Sequence, residues 1–287
     1  MYKAKSAGGS CYVSYDPAML TGLVERLELE ADLRLALERG ELELHYQPTV
    51  DLATSEVIGF EALCRWHHPL RGMTAPLEFI PIAEATGLIV PLGRWVLREA
   101  CRQAVEWSKA GGGRPVKMAV NVSVRQFDRA DFAEVVAEIL AETGMVADQL
   151  CLEMTESVLM TDTDDNLEQL VRLKALGVTL AIDDFGTGYS SLAYLRRFPM
   201  DVLKVDRSFV DRLGGDDEDR ALVRTIVRLG QSLGMRTVAE GIENDLQLRA
   251  LQEMGCDFGQ GYHLSRPLPV ADAAAILETG IRVPVAA

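Results

Sequence analysis

The chain has 287 residues, with 29 Lys and Arg against 43 Asp and Glu, for a formal net charge of −14. Hydrophobic residues make up 48% and charged residues 25%, a globular composition that excludes a disordered or fibrous chain. The acidity argues against a DNA or RNA duplex as partner, since a duplex calls for a basic stripe. At ~150 residues per domain the length suggests two domains, although a β/α barrel reaches about 250 residues as one unit. Five cysteines (Cys11, Cys64, Cys101, Cys151 and Cys256) show no CxxC spacing. A reducing cytoplasm is therefore expected, rather than a disulfide framework or a zinc ribbon. No run approaches the ~18 apolar residues of a membrane span, and the polar first fifteen residues carry no secretory signal.

From about residue 41 short apolar runs alternate with amphipathic ones. Strands are expected at Leu42 to Val50, Val57 to Trp66, Val116 to Val122, Leu150 to Met154, Thr179 to Asp183, Asp201 to Val205, Thr237 to Gly241 and Asp257 to Gly261. Helical patterns lie between them. They run from near Leu77 to before Gly87, then Leu92 to Lys109, Asp131 to Thr143, Asp164 to Leu176, Asp217 to Leu233 and Asp245 to Met254. Asp131 ahead of Glu134, with Gly144 behind, predicts caps at both ends of the third. Eight strands alternating with helices predict an α/β fold, as a closed barrel or a doubly wound sheet. No Gly-rich phosphate loop follows the first strand, which favours the barrel.

Nearly every expected strand ends in a polar residue after an apolar body. In order these are Gln47, Glu61 with Arg65, Asn121, Glu153, Asp183-Asp184, Lys204 with Asp206, Glu240 and Gln260. Taken singly, each has an ordinary explanation: an Asp-Asp pair is usually a solvated loop, an Asn a turn former, a Lys a structural partner. In a β/α barrel, however, all strand C-termini meet on the face that carries the chemistry. Strand alternation puts Glu61, Leu63 and Arg65 on one face, Lys204 with Asp206 on another, and Glu240 with Val238. Glu156 falls in the loop beyond its strand.

Seven carboxylates (Glu61, Glu153, Glu156, Asp183, Asp184, Asp206 and Glu240) are thus candidates for one face, and Lys204 and Arg65 offset only two of them. Crowded like charges protonate or bind cations. Hard oxygen donors with an Asn amide point to Mg²⁺ or Mn²⁺. The four histidines (His45, His67, His68 and His263) stand at no HExxH spacing. The Asp183-Asp184 pair suggests two cations held ~3.5–4 Å apart, the geometry of in-line attack at phosphorus.

These residues lie in longer motifs. GFEALCRWHHP contains Glu61-Ala62-Leu63, and YQPTVDL, PLEFIPIAEATGLI, NVS, LEMTES, DDFGTGYSSL, LKVD, VAEGIE, GQGY and SRPLP follow one another along the chain. Together they resemble the EAL domain, the family of cyclic di-GMP phosphodiesterases, over about residues 22 to 280. The resemblance implies a TIM-like (β/α)8 barrel whose first strand is antiparallel to the others. It also implies hydrolysis of cyclic di-GMP to 5′-pGpG with two Mg²⁺ or Mn²⁺ ions per site.

By the same resemblance Glu61, Asn121, Glu153 and Asp183 would ligate one metal. Asp183 would bridge to a second, approached by Asp184 and Glu240. Lys204 would orient or deprotonate the attacking water, with Glu61 and Glu240 also catalytic. Gln47, Leu63, Arg65, Asp206 and Gln260 would contact substrate, Leu63 near a guanine, with Asp206 also supporting the second metal. Glu156 would brace the loop carrying DDFGTGYSSL, and a homodimer would form near that loop.

Residues 1–21 resemble the C-terminal end of a GGDEF domain, the diguanylate cyclase module, which implies a GGDEF–EAL tandem with residues 22–287 as the EAL domain. Leu23 to Arg39, with Leu27, Leu33, Leu35 and Leu37, would be the linker helix entering the barrel. Two other functions stay open: a catalytically silent cyclic di-GMP receptor, and a barrel with other metal-assisted chemistry such as enolase-type proton abstraction.

Overall fold

The computed structural model describes residues 17–156, 158, 164–187, 195–215 and 217–279, with side chains from residue 25. Residues 1–16, most of the stretch that resembles a GGDEF terminus, lie outside the described residues.

Among the described residues, nine strands form one sheet. They are β1 (Leu42–Asp51), β2 (Val57–His68), β3 (Gly72–Thr74), β4 (Lys117–Val122), β5 (Leu150–Thr155), β6 (Thr179–Phe185), β7 (Val202–Val205), β8 (Arg236–Ala239) and β9 (Phe258–Gly259). Their order is β1-β9-β8-β7-β6-β5-β4-β2-β3, and pairing of β1 with β2 closes eight of them into a barrel. β1 runs antiparallel to both β2 and β9, while β2 and β4 to β9 pair in parallel. The fold is thus the (β/α)8 barrel with an inverted first strand that the resemblance implies.

The inversion has a local cause. The β1–β2 connection is too short for a crossover, which needs a dozen or more residues. Asp51 accepts hydrogen bonds from the Ala53 and Thr54 amides, both at 2.9 Å, and turns the chain back on itself. The short β3, which pairs antiparallel with the end of β2, has no apolar alternation and is not expected from the sequence.

Strand alternation divides β2 between two environments. Phe60, Ala62 and Trp66 point into the helical layer and are fully buried, where Trp107 of the helix Ile89–Ala110 packs against Phe60 and Tyr46. Glu61, Leu63 and Arg65 are left for the other face. The outer helices also include Pro76–Thr86, Phe132–Thr143, Asp164–Leu176, Asp217–Ser232 and Asp245–Met254, close to the expected boundaries, and Val270–Thr279, which packs against β1 and was not expected. Gly144 ends its helix in the left-handed conformation at φ 75°, as expected. Asp131 does not cap the other end: its side chain turns away to Arg129 at 2.9 and 3.0 Å.

The helix Pro17–Arg39 lies on the barrel against Pro76–Thr86. Its buried stripe is Leu29, Leu33 and Ala36, whereas Leu27 is 56% and Leu35 37% exposed. Of the leucines singled out by sequence, Leu33 is the one in the core. Among the described residues no helix is long and apolar enough to cross a membrane. Replacing Leu33 by Ala is expected to cost about 2–5 kcal/mol in urea unfolding, and Leu27→Ala about 0.5 kcal/mol or less. Equal costs would contradict this packing.

Candidate active site

The strand C-termini meet at one end of the barrel, and Lys204 of β7 stands at their centre. Its side chain is only 2% exposed. Its Nζ lies 2.7 Å from Glu153 of β5, 2.6 Å from Glu240, 3.1 Å from Asp183 of β6 and 3.9 Å from Glu61 of β2. One ammonium therefore faces four carboxylates from four different strands or strand ends. Burial works against the ammonium, but Asp183, Glu153, Glu240 and Glu61 outweigh it and hold its pKa well above the usual lysine value.

β8 and β9 end one residue before Glu240 and Gln260, sooner than expected. Backbone bonds still fix both: the Glu240 amide donates to Val205 O at 3.1 Å and the Gln260 amide to Ala239 O at 2.9 Å. Gln260 Nε2 then donates to Gln47 Oε1 at 2.9 Å and to Glu61 Oε2 at 2.7 Å. Asn121 Nδ2 donates to the other Glu61 oxygen at 2.6 Å, which leaves Oδ1 as the atom Asn121 could offer a cation. Gln47 is directly opposite Glu61 in the β1–β2 register.

The adjacent Asp183 and Asp184 would point to opposite faces of a regular strand. Here the β6–β7 register shifts between Ile182 and Phe185, and Asp184 adopts a left-handed φ of 53°. The irregularity brings both carboxylates to the barrel mouth. Asp tolerates this conformation better than most residues, at roughly 1–2 kcal/mol. Asp183, Asp184 and Glu240 each offer an oxygen, all within 4.8 Å of one another. Asp183 Oδ1 is buried with no hydrogen-bond donor aligned on it, although Lys204 Nζ stands 3.1 Å away. An all-oxygen cluster with an unsatisfied buried carboxylate oxygen fits a hard divalent cation.

The carboxyls register the crowding. Burial raises Glu240, Lys204 opposes this, and Asp183 and Glu61 add to it, for a pKa of about 7. Burial, then Asp183 and Asp206, push Asp184 up to about 6. Burial leaves Glu153 well above its usual value despite Lys204.

Gln47, Glu61, Leu63, Asn121, Asp183, Glu240 and Gln260 line a cleft of about 360 Å³ together with Arg207, Glu243 and Tyr262. The last three were not singled out from sequence. They sit one to three residues beyond strand-end residues that were, and Glu243 and Tyr262 fall within the VAEGIE and GQGY motifs. Arg207 pairs with Glu243 at 2.6 Å and lies over Gly241, where a Cβ would come within 2.3 Å of Arg207 Cγ. Gly241 also has φ 71°.

Asp206, Glu156 and Arg65 do not line the cleft and are held by other contacts. Asp206 caps a short helix by accepting from the Ser208 amide at 3.0 Å, and reaches the cluster only through its neighbour Asp184. Glu156 lies just past β5, where Oε2 accepts from the Gly186 amide at 3.2 Å and so holds the β6 loop. Arg65 donates to the Cys64 carbonyl at 2.9 Å. The local surplus of negative charge is accordingly concentrated around Lys204 rather than spread over seven acids.

The EAL domain family model matches residues 30–267. The chain belongs to the EAL domain family. The Pseudomonas aeruginosa protein named bifunctional diguanylate cyclase/cyclic di-GMP phosphodiesterase MucR is 46% identical over 275 residues, covering 96% of this chain and 40% of MucR. NbdA of the same organism, a cyclic di-GMP phosphodiesterase, is 44% identical over 271 residues, covering 94% and 34%. This EAL chain thus spans about a third to two-fifths of the length of these relatives. The solved structure of the MucR phosphodiesterase in complex with c-di-GMP superposes with a TM-score of 0.82 at 47% identity, covering 86% of this chain and 99% of that one.

Carboxyls whose pKa is raised bind protons more tightly in the folded chain than in the unfolded one. Their contribution to stability is therefore lost as pH rises from the ordinary carboxylate range to about 7. Without added metal, the melting temperature should fall between pH 5 and pH 8. Millimolar Mg²⁺ should restore more of it at pH 8 than at pH 5, because the cation binds the ionised carboxylates. A flat profile indifferent to Mg²⁺ would remove the cation fit.

Proposed function

We propose that this EAL chain hydrolyses cyclic di-GMP to linear 5′-pGpG at the barrel mouth, with two Mg²⁺ or Mn²⁺ ions. The observation that carries this reading is the convergence of Glu61, Asn121, Glu153, Asp183, Glu240 and Lys204 at one end of the barrel. Supporting it are MucR, whose solved structure is a c-di-GMP complex, and NbdA, named a cyclic di-GMP phosphodiesterase.

Glu61, Asn121, Glu153 and Asp183 would hold one cation, and Asp183, Asp184 and Glu240 the second. Bound there, divalent cations would stabilise charge on the phosphoryl oxygens and make a water more acidic. The chain's own groups then divide the remaining work. Lys204, held as an ammonium by its carboxylate partners, donates a hydrogen bond and orients the attacking water; it is no base while so protonated. Glu240, 2.6 Å from Lys204 and lining the cleft, takes the proton released as that water attacks phosphorus, and the P–O3′ bond breaks with the proton returned to the departing 3′ oxygen. Gln260 and Asn121 fix Glu61 by donating to both of its oxygens. Arg65 contacts a phosphoryl oxygen, Leu63 packs against a guanine, and Gln47 and Gln260 complete the substrate wall.

We read the chain as part of a GGDEF–EAL tandem. The name of MucR and the greater length of the relatives support this. A homodimer near DDFGTGYSSL is proposed as well, and residues 188–192 of that motif lie outside the described residues.

Incubation with cyclic di-GMP and Mn²⁺ should yield 5′-pGpG on chromatography, whereas binding without product would select a receptor instead. Glu61→Ala should abolish product while the protein stays folded, and full turnover by this variant would sink the role of Glu61. Glu240→Gln should lower kcat by about 10²–10⁴ with KM little changed. An unaltered kcat would place the proton acceptor elsewhere.

A further inference from the structure

Among the described residues that line the cleft, Arg207 alone carries a positive charge. It lies two residues beyond β7, at the start of the short helix Arg207–Val210 that Asp206 caps. Either way round the eight-stranded barrel, β7 stands four strands from β2, which carries Arg65. The two guanidiniums therefore belong to opposite walls of the mouth. Arg207 Nη2 donates to Glu243 at 2.6 Å and Nε to Asp211 at 3.3 Å. These bonds aim the fork and leave Nη1 without a partner among the described residues. The stem lies over Gly241, close to where a Cβ would stand. At 53% exposure of the side chain, the ion pair holds Arg207 only weakly.

We propose that Arg207 binds the uncleaved phosphate of a cyclic dinucleotide, and so makes the cleft select ligands with two phosphodiesters. The inference rests on the reading that cyclic di-GMP binds at this mouth. Such a ligand carries two phosphates across its ring from one another, each with a full negative charge. Attack takes place at one of them, over the acidic cluster of Asp183, Asp184 and Glu240. The other phosphate lies away from that cluster and needs a donor on the cleft wall. Lys204 cannot serve, because it is buried among four carboxylates. The side-chain amides of Gln47, Asn121 and Gln260 are neutral, and each already donates within the site. A free Nη1 proton offers the charge-assisted bond that these groups do not. A cyclic mononucleotide, with its single phosphate over the acidic cluster, would leave Arg207 unused.

Isothermal titration in millimolar Mg²⁺, on a Glu240→Gln background so that turnover does not intrude, tests this contact. Arg207→Gln keeps the stem over Gly241 and should melt like its parent. It should weaken cyclic di-GMP roughly tenfold or more. The loss for 3′,5′-cyclic GMP, which has the guanine but one phosphate, should be several-fold smaller. Equal losses for the two ligands would overturn the proposal, since they would mark a guanine contact or a brace for the cleft wall. Unchanged affinity for cyclic di-GMP would overturn it as well. Binding without 5′-pGpG from the unsubstituted chain would defeat the hydrolysis reading and leave this contact standing, whereas no binding of cyclic di-GMP would overturn both.

Discussion

A buried ammonium is expensive unless charges of the opposite sign surround it, and Lys204 is surrounded by four carboxylates. The converse is equally true, since Glu61, Glu153, Asp183 and Glu240 would repel one another without the cation at their centre. No two of these groups come from the same strand. The barrel must therefore close in the right register for any of them to be tolerated. This mutual dependence links the fold to the chemistry, because a slip of one residue would turn each strand-end side chain to the other face. Four carboxylates and one ammonium still leave three negative charges in a closed space, before Asp184 is counted. Burial first, and then that residue of charge, raises Glu240 and Asp184, and the charge is what a divalent cation would satisfy.

Two departures from regular geometry serve the same cluster. The left-handed Asp184 costs strain, yet it lets neighbouring residues serve one site where alternation would separate them. At the β8–β9 rim, a Cβ on Gly261 would come within 2.2 Å of the Ile242 amide nitrogen. Such close approach lets Gln260 reach both Gln47 and Glu61. Glu156 works at one remove, holding the Gly186 amide and with it the exit from β6.

Much of this was legible in the sequence, for a definite reason. Strand bodies in a parallel barrel are apolar and their ends are not, so Glu61, Asn121, Glu153, Asp183, Lys204 and Glu240 stood out as polar terminations. What stayed hidden depends on neighbours distant in sequence or on local bends. β3 pairs only because β2 overhangs the barrel. Asp131 and Arg129 settle their own contact instead of a cap. Asp206 shares strand alternation with Lys204, but the chain turns into a helix at that point and uses its carboxylate as the cap. The motif resemblance named the antiparallel first strand; hydrophobic periodicity alone carries no strand direction.

The cations in and around the barrel mouth decide how an anionic substrate could enter. Lys204 is committed to its carboxylates, and Arg207 to Glu243 and Asp211 at 2.6 and 3.3 Å. Arg65 differs: its hydrogen bond goes to a neutral backbone carbonyl, at no cost in charge to any acid. A phosphate could replace that carbonyl and gain a charge-assisted bond where a neutral one was lost. Arg65 alone cannot offset the negative surplus around Lys204, since one guanidinium faces at least three uncompensated charges. Attraction of a cyclic dinucleotide dianion therefore requires the carboxylates themselves to be neutralised first. Metal affinity and substrate affinity at this mouth should accordingly be linked, each ligand strengthening the binding of the other.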